Sequence, residues 1–299
     1  MSRQVQGYFY LSLAMLTVGS TVIASKLIAS GLPPFAATAL RFALAFPVLL
    51  VAMRVIGVRL PKLSREDCLI LIVQAGAGSV GYTTLLISGL SLTSAADAGV
   101  IIGTLPVVSA AISIILLGER PKPALLVAVA LATAGVFSIA FSPDASGGSF
   151  SGNALIFCAV ICEGLFILLN KRLKTEIPPL AQSTLMAGIG FIVAVIPAAF
   201  EAPLAQGISA SAAVAVVYYA LVPTVGGFLL WYAGAERVSG TEAALFTALA
   251  PVSAVMLAFL VLGEPVWLNQ IVGIGCVLAA VLGLAVAGSR IGVKLVSGR

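Results

Sequence analysis

Histidine is absent from this sequence of 299 residues, and charged side chains are scarce, at 9%. Soluble domains carry about 25% charged residues, so this chain has too little polar surface for a fold in water. Without histidine, the commonest metal ligand and general base is missing. The four cysteines lie within or beside apolar runs, and we expect them to be small core side chains: Cys68, Cys158, Cys162 and Cys276. No metal site and no cofactor are expected.

Hydrophobic residues make up 61% of the chain, more than the interior of a soluble fold of this size can hide. The solvent of the folded chain is therefore lipid, where every backbone N–H and C=O needs an internal partner. Strands of a membrane barrel would alternate apolar and polar residues. The stretch 125–141 is instead continuously apolar over nearly the length of a spanning helix. The sequence predicts an all-α membrane protein.

Prolines, glycines and charge clusters divide the chain into ten apolar segments, so we expect about ten crossings of the bilayer. The short joints between them leave no room for a soluble catalytic domain. The predicted spans are 7–29, 35–53, 68–90, 96–117, 123–141, 152–170, 179–200, 211–235, 243–262 and 267–287.

The two halves of the chain repeat each other at an offset of 145 residues, the separation of Lys26 from Lys171. Chance in an apolar sequence does not comfortably explain matching lysines, prolines and Gly-Glu pairs at one offset. The matches include Pro33-Pro34 with Pro178-Pro179, Gly81 with Gly226, Gly89 with Gly234, Pro106 with Pro251, and Gly118-Glu119 with Gly263-Glu264. We therefore predict two domains, residues 1–145 and residues 146–299, each with five helices.

An odd number of helices per repeat means that the halves face opposite ways across the membrane. With the N-terminus in the cytoplasm, all but two of the 16 basic residues fall on the cytoplasmic side, which satisfies the positive-inside rule. The exceptions are Lys26 and Arg41, inside spans near the outer surface. We predict inverted repeats with both termini cytoplasmic. The net charge of +5 therefore reflects orientation in the lipid bilayer and does not indicate nucleic acid.

Several local motifs resemble the EamA domain of the drug/metabolite transporter superfamily. The run Pro33-Pro34-Phe35 to Arg41 is similar to its second helix, and Leu116–Arg120 after Pro106 is similar to the end of its fourth. Two such domains cover the chain, which most resembles the YddG-like ten-helix exporters of amino acids and related metabolites. The resemblance implies a location in the bacterial inner membrane. Met186 stands at the repeat position of Arg41, so the family arginine is not duplicated, and we expect Arg41 to anchor at the outer interface.

Four predicted helices carry residues that break an α-helix, at positions that the repeat relates. Gly78 and Gly81 belong to a glycine cluster in the third helix, and Pro223 lies at the equivalent place in the eighth. Pro106 and Pro251 lie in the fourth and ninth. Half-broken helices form sites and gates in many transporters, so these residues are hinge candidates. The alternatives are close packing for the glycines and a static kink for the prolines.

The glycine cluster Gly76–Gly81 also matches G-x-G-x-x-G, a dinucleotide fingerprint that requires a preceding strand. A position inside a spanning helix excludes that interpretation.

Glu163 is the only acidic residue near the middle of a predicted span. A carboxylate in lipid is costly, which makes Glu163 a candidate for binding a substrate amine or carrying a proton. The alternative is a neutral glutamate hydrogen-bonded to its neighbours. Lys26 and Lys171 lie at equivalent helix ends on opposite sides of the membrane. They either extend to the interface or act as gate residues that bind an anionic group or a helix C-terminus.

Polar and aromatic residues share one face of the third helix and of the eighth. Gln74, Gly78 and Tyr82 are spaced by four, and so are Tyr219, Pro223, Gly227 and Trp231. An amphipathic ligand needs aromatic walls with a few convergent polar groups. Gln74, Tyr82, Tyr219 and Trp231 are therefore candidate cavity residues beside Glu163, and packing in the core or at the interface is the alternative.

These features predict a secondary transporter that works by alternating access. The resemblance implies that it exports amino acids and related metabolites, and the aromatic residues favour the larger apolar or aromatic amino acids. The alternative substrates are drugs or cationic compounds, with Glu163 as the cation site. The chain lacks a G-x-x-x-x-G-K-[ST] loop for ATP and the paired carboxylates or histidine of a membrane enzyme. A channel is the third class. The expected partners are a small-molecule substrate and the bilayer, and small residues such as Ala279 and Gly283 permit an oligomer without requiring one.

We predict that residues 142–150 form an external loop, because they contain Asp144 and no lysine or arginine. A cysteine at Ser146 in a cysteine-free background should react with an impermeant maleimide added to intact cells. Labelling only after lysis would contradict the inverted arrangement.

Overall fold

The computed structural model describes residues 3–105, 107–109, 111–112, 123–140, 149–170, 172–201, 207–235, 237, 246 and 249–296. All regular secondary structure in these ranges is helical. The uninterrupted helices are α1 (Arg3–Ala29), α2 (Pro34–Ile56), α4 (Ala95–Ile102), α5 (Pro123–Ala140), α6 (Phe150–Asn170), α7 (Pro179–Ala198), α9 (Leu249–Leu262) and α10 (Leu268–Val296). Helix α3 joins Arg65–Gln74, a π-helical turn Ala75–Gly81 and Tyr82–Leu90, and α8 joins Ala210–Tyr219, a π-helical turn Ala220–Gly226 and Gly227–Ala235.

Within the described residues, six helical stretches are long and apolar enough to cross a membrane: Arg3–Ala29, Pro34–Ile56, Arg65–Leu90, Phe150–Asn170, Pro179–Ala198 and Ala210–Trp231. Shorter apolar helices accompany them at Leu126–Gly135, Leu249–Leu262 and Leu268–Ala280. Helix α2 shows the pattern of a lipid-facing helix, with Leu44, Val48 and Val51 exposed on one side while Ala45 and Leu49 are buried. The predicted ten crossings and the cytoplasmic termini stay predictions.

Proline and serine residues start the helices, and they do so at equivalent positions in the two halves. Pro34 and Pro179 open α2 and α7, where a missing N–H costs nothing. Ser64 and Ser209 cap α3 and α8, with their hydroxyls accepting from the N–H of Asp67 at 3.0 Å and of Ala212 at 3.3 Å. The same local signal therefore starts the equivalent helix in each half.

The start of α4 is the place where one half completes the other. Ser94 caps the helix, accepting from the Asp97 N–H at 3.0 Å. Glu264, from the second half, accepts from the N–H groups of Ala95 at 3.2 Å and Ala96 at 3.1 Å. An anion is stabilised at a helix N-terminus, and here the carboxylate and the helix come from different halves.

Gly263 ends α9 with φ at 66°, a left-handed conformation that glycine adopts without strain. Gly118 and Glu119, the repeat counterparts of Gly263 and Glu264, lie outside the described residues.

The two halves interlock through their first helices. Helix α1 packs against α8 and α9 of the second half, and α6 packs in the same way against α3 and α4 of the first. The repeat-related pairs α2–α7 and α5–α10 pack directly on each other. Each contact thus has a counterpart that the repeat predicts, so neither half buries its apolar face alone.

Hydrogen bonds show that equivalent helices run in opposite directions. The Lys26 amine, at the end of α1, donates to the Leu90 carbonyl at the end of α3 at 2.8 Å. Thr93, just beyond, donates to Asn153 at the start of α6 at 2.6 Å. The end of α1 and the start of α6 therefore lie at the same end of the bundle, which makes the repeats inverted.

At the other end of the bundle, the Lys174 amine and Glu66 carboxylate form an exposed ion pair at 2.6 Å. The hydrogen bond to Glu66 raises the pKa of Lys174. Because both groups are exposed, this pair adds little to stability.

Gly89 and Gly234 mark repeat-related close approaches. A Cβ on Gly89 would lie 2.5 Å from Ile156 Cδ1 and 3.0 Å from the Gly152 carbonyl. A Cβ on Gly234 would lie 2.7 Å from Leu11 Cγ and 3.1 Å from the Leu11 backbone nitrogen. Ile156 and Leu11 are themselves repeat equivalents, so an equivalent residue pair makes the close contact at both interfaces between the halves.

We predict that Gly89→Val and Gly234→Val each destabilise the purified protein in detergent by about 1–3 kcal/mol, because the added atoms overpack a helix contact. Thermal unfolding followed by size-exclusion chromatography measures the effect. Gly275→Val on α10 is the matched control, since a Cβ there meets nothing within 4 Å. Equal stability of all three variants would contradict this packing.

Candidate functional site

A cavity of about 170 Å³ lies between the two halves. Its walls come from α1, α2, α3, α6, α7 and α8, together with Ile102 and Leu105 at the end of α4. Most lining residues form pairs at the repeat offset: Val18 with Glu163, Thr21 with Phe166, Arg41 with Met186, Phe42 with Ala187, Gly78 with Pro223, Ser79 with Thr224, and Thr83 with Phe228. The cavity therefore lies where the inverted repeats meet, and both halves build it from the same positions.

Both π-helical turns reach this cavity. The turn Ala75–Gly81 in α3 and the turn Ala220–Gly226 in α8 occupy identical places in the repeat. Gly78 and Ser79 line the cavity from the first, and Pro223 and Thr224 line it from the second. Single π-helical turns inside α-helices are frequent at functional sites because they widen the helix and free backbone groups locally.

Pro223 explains the turn in α8. A proline has no N–H to bond the carbonyl four residues earlier, which here belongs to Tyr219. The Thr224 hydroxyl donates to that carbonyl at 2.8 Å instead. The side chain thus replaces the missing backbone bond, which a helix in lipid requires.

In α3 the glycine cluster takes the place of proline. A Cβ on Gly78 would lie 2.4 Å from Phe166 Cβ, whereas a Cβ on Gly76 would meet nothing within 4 Å. Close packing, the alternative interpretation of these glycines, therefore holds for Gly78 and not for Gly76.

Arg41 is buried at the centre of the bundle, 7% exposed, and faces the cavity. The expected anchor at the outer interface was wrong, because α2 packs on α7 and α3 at this depth rather than on lipid. One Nη atom donates to the Ser79 carbonyl and to the Thr83 hydroxyl, each at 3.0 Å. The guanidinium carbon lies 4.1 Å from the Phe42 ring centroid and 4.6 Å from that of Tyr219. In the part of the chain that the structure describes, the buried Arg41 Nε has no hydrogen-bond partner.

Glu163 lines the same cavity from α6 and is partly exposed to it. In the part of the chain that is described, its carboxylate makes no ion pair and no hydrogen bond. The described residues therefore do not support the alternative in which Glu163 is held by hydrogen bonds to its neighbours. Its charge is close enough to that of Arg41 for the two to interact, although they form no ion pair.

The structure brings three of the five predicted cavity residues together: Tyr82, Glu163 and Tyr219. Gln74 is fully buried beside the cavity, where its amide donates to the Phe166 carbonyl at 3.1 Å and to Asn170 at 3.3 Å. Trp231 does not line this cavity and packs in a cluster with Met15, Val18 and Phe246.

Among the hinge and gate candidates, Gly78 and Pro223 line the cavity, and Gly81 ends the first π-helical turn. Lys26 donates to carbonyls of Leu90 and Thr93, so it holds a helix C-terminus, one of the two interactions considered for it. Pro251 lies in α9, next to the break after α4, where a Cβ on Gly103 would be 2.9 Å from it. Pro106 and Lys171 lie outside the described residues.

The cysteines do not form one core group. Cys68 and Cys158 are exposed on the outer face of the bundle, and Cys162 and Cys276 are partly buried. The expectation that all four are core side chains was wrong for the two exposed ones, because a thiol is apolar enough to face lipid. Within the described ranges, no three metal-ligating side chains come together.

Sequence reasoning missed Arg41 and the residues that hold it, Ser79 and Thr83. The absence of a second arginine at Met186 counted against a role in binding. The same repeat comparison shows that Glu163 also lacks a charged counterpart, since Val18 stands at its repeat position. A charged residue with an apolar repeat partner was therefore the sequence signal for both Arg41 and Glu163.

Inverted helical halves around a central, mostly apolar cavity with a few polar and charged groups are typical of integral, multi-pass membrane transporters. The chain belongs to the EamA-like transporter family, whose model matches residues 5–141 and again residues 150–286. The family consists of transporters and not enzymes, and the inner membrane is the expected location for its bacterial members.

Several relatives match over most of their length, including the following two. The chain is 35% identical to the uncharacterized transporter YetK of Bacillus subtilis (strain 168), over 93% of this chain and 86% of that protein. It is 28% identical to a probable terminal-alkyne amino-acid exporter of Streptantibioticus cattleyicolor, over 84% of each. A solved crystal structure with 20% sequence identity shares the fold, with a TM-score of 0.64 over 97% of this chain and 98% of that one.

Proposed function

We propose that this protein is a secondary transporter that exports amino acids and related metabolites by alternating access. The observation that carries the proposal is the cavity at the meeting point of the inverted repeats, bordered by a π-helical turn from each half. Transporters built from inverted repeats place their substrate at this point and rock one half against the other. An amino-acid exporter among the relatives supports the substrate class.

The size and lining of the cavity favour a small amphipathic metabolite over a drug. Pockets for drug-sized ligands hold about 300–1,000 Å³, whereas this cavity holds about 170 Å³. Its walls are aromatic and aliphatic with a few polar groups. A small organic molecule with a polar end suits that composition.

Efflux of cationic compounds is the second candidate, and Glu163 is the observation that favours it. An organic cation would pair with this carboxylate, but it would also enter a cavity that holds the Arg41 guanidinium. Repulsion between two cations in a site of low dielectric constant weakens such binding. The charges of the cavity therefore favour amino acids over cations.

The π-helical turns supply the moving parts of the proposed cycle. A helix bends most readily where its ladder of backbone bonds is already broken, and α3 and α8 are broken at equivalent depths. Bending of α3 closes one side of the cavity and bending of α8 closes the other. The inverted repeat thereby supplies two gates from one structural element.

We predict that liposomes containing the purified protein and loaded with an unlabelled apolar amino acid will accumulate the labelled form from outside. Acceleration by substrate on the far side is the signature of a carrier, and a panel of amino acids and organic cations identifies the class. Empty liposomes are the control. Exchange of cations alone would establish the cationic efflux function, and flux without acceleration would establish a channel.

We predict that Pro223→Leu slows exchange about tenfold while changing substrate affinity less. An internal proline costs a helix about 3 kcal/mol, so its removal favours the straight form of α8, and half of that energy shifts two facing states tenfold. Exchange rates in liposomes and ligand-induced thermal shifts in detergent separate the two effects.

Pro47→Leu is the matched control for this variant. Pro47 also lies inside a helix, but it is exposed on α2 and does not line the cavity. It should leave exchange unchanged. Wild-type exchange in Pro223→Leu would show that the turn in α8 only shapes the bundle.

A further inference from the structure

The charges of the central cavity depart from the symmetry of the walls. Arg41 comes from the first half, and its repeat partner in the cavity is Met186. Glu163 comes from the second half, and its partner in the cavity is Val18. At each of these two paired positions, one half supplies a charge and the other half supplies an apolar side chain. The cavity therefore holds one cation and one anion at positions that the repeat does not relate.

The two charged groups do not neutralise each other through an ion pair. An ion pair across the cavity would satisfy both groups in lipid, where an uncompensated charge is costly. Arg41 and Glu163 form no such pair. Both side chains line the same cavity, so a donor and an acceptor of opposite charge face one space without pairing with each other.

The contacts that hold the Arg41 guanidinium in place favour binding of a planar anion. Two hydrogen bonds from one Nη atom and two flanking rings hold the guanidinium in place. Within the described residues, no group accepts a hydrogen bond from its buried Nε. The guanidinium therefore keeps unused donor capacity and a positive charge held in a fixed position, which suit a carboxylate.

Glu163 is the complementary acceptor. Its carboxylate has no hydrogen-bond partner in the described ranges, and it lies on the helix that also supplies Val160 and Phe166 to the wall. An ammonium group would satisfy it. The rest of the cavity wall includes the apolar side chains of Val18, Leu105 and Met186.

Building on the proposed function, we propose that the cavity selects dipolar amino acids with apolar side chains through a two-point charge clamp. Arg41 binds the α-carboxylate, Glu163 binds the α-ammonium group, and the side chain packs on the apolar wall. A ligand with only one of these charges leaves the other protein charge unpaired. A simple amine or a simple carboxylic acid of the same shape is therefore a poor substrate.

The test compares three molecules with one skeleton: phenylalanine, phenethylamine, which lacks the carboxylate, and 3-phenylpropionate, which lacks the amine. Leucine, isoamylamine and 4-methylpentanoate form a second set. Each compound competes with exchange of the labelled amino acid in liposomes containing the full-length protein. In the wild type, the amino acid should compete at least about tenfold better than either relative, the effect of losing one charged hydrogen-bonding partner.

Replacing each charged residue should remove one preference and keep the other. Glu163→Gln should abolish the preference for the amino acid over the acid and retain the preference over the amine. Arg41→Met, which installs the residue of the other half, should do the reverse. Arg41→Lys is the second variant in case Arg41→Met does not fold. Lysine keeps the positive charge but lacks the guanidinium fork, so this variant should weaken the preference for the amino acid over the amine without abolishing it.

Two exposed residues provide matched controls, Glu66→Gln for the carboxylate and Arg54→Met for the guanidinium, and both should leave every ratio unchanged. Equal competition by all three molecules in the wild type would overturn the charge clamp, although the protein remains an amino-acid exchanger. A uniform loss for all three molecules in both variants would overturn it as well, since that is the result of a purely structural role. Failure of the wild type to exchange any amino acid would instead refute the proposed function itself.

Discussion

The need to satisfy every backbone polar group inside the protein governs this structure, because lipid offers no substitute partner. It explains why all described regular structure is helical and why each interruption of a helix is repaired locally. The carbonyl of Tyr219, which loses its bond through Pro223, is satisfied by the Thr224 hydroxyl. The Ser79 carbonyl, in the other π-helical turn, receives the Thr83 hydroxyl and the Arg41 guanidinium. The repaired breaks are the positions from which the cavity is built, so the constraint of lipid and the placement of the site are linked.

Arg41 connects the features of the site that matter most for a transporter. It donates to the π-helical turn of α3, and its guanidinium lies over the ring of Tyr219, the residue that precedes the π-helical turn of α8. A ligand that binds this guanidinium therefore acts on a residue in contact with both breaks. Such a link between binding and bending is what alternating access requires, since a carrier must change its facing state in response to its cargo.

Residues that the repeat matches determine helix packing and capping, whereas the charged residues of the cavity have no charged counterpart in the other half. Gly89 and Gly234 make the same close approach, and Ser64 and Ser209 start equivalent helices, because packing and capping are needed equally in both halves. Arg41 and Glu163 have apolar counterparts in the cavity, and the proposed amino-acid substrate, with one anionic and one cationic group, is asymmetric in the same way. Residues that follow the repeat therefore report on the fold, and cavity residues that depart from it report on the ligand.

The sequence alone determined the solvent, the secondary structure and the relation of the halves. These follow from local rules: hydropathy over a helix length, proline and serine at helix starts, and the match of lysines, prolines and glycines at one offset. Lys26 at a helix C-terminus and Ser94 as a cap were also within reach, since both act on neighbouring turns or on an equivalent signal.

Only the tertiary structure decided which of these residues meet. Arg41 was expected at the lipid interface and lies in the cavity, Trp231 was a cavity candidate and packs elsewhere, and Glu264 caps a helix of the opposite half. In a helix that is apolar almost all round, periodicity does not distinguish the face toward lipid from the face toward protein. That choice depends on which helices pack together, and here the contacts run between residues far apart in the chain.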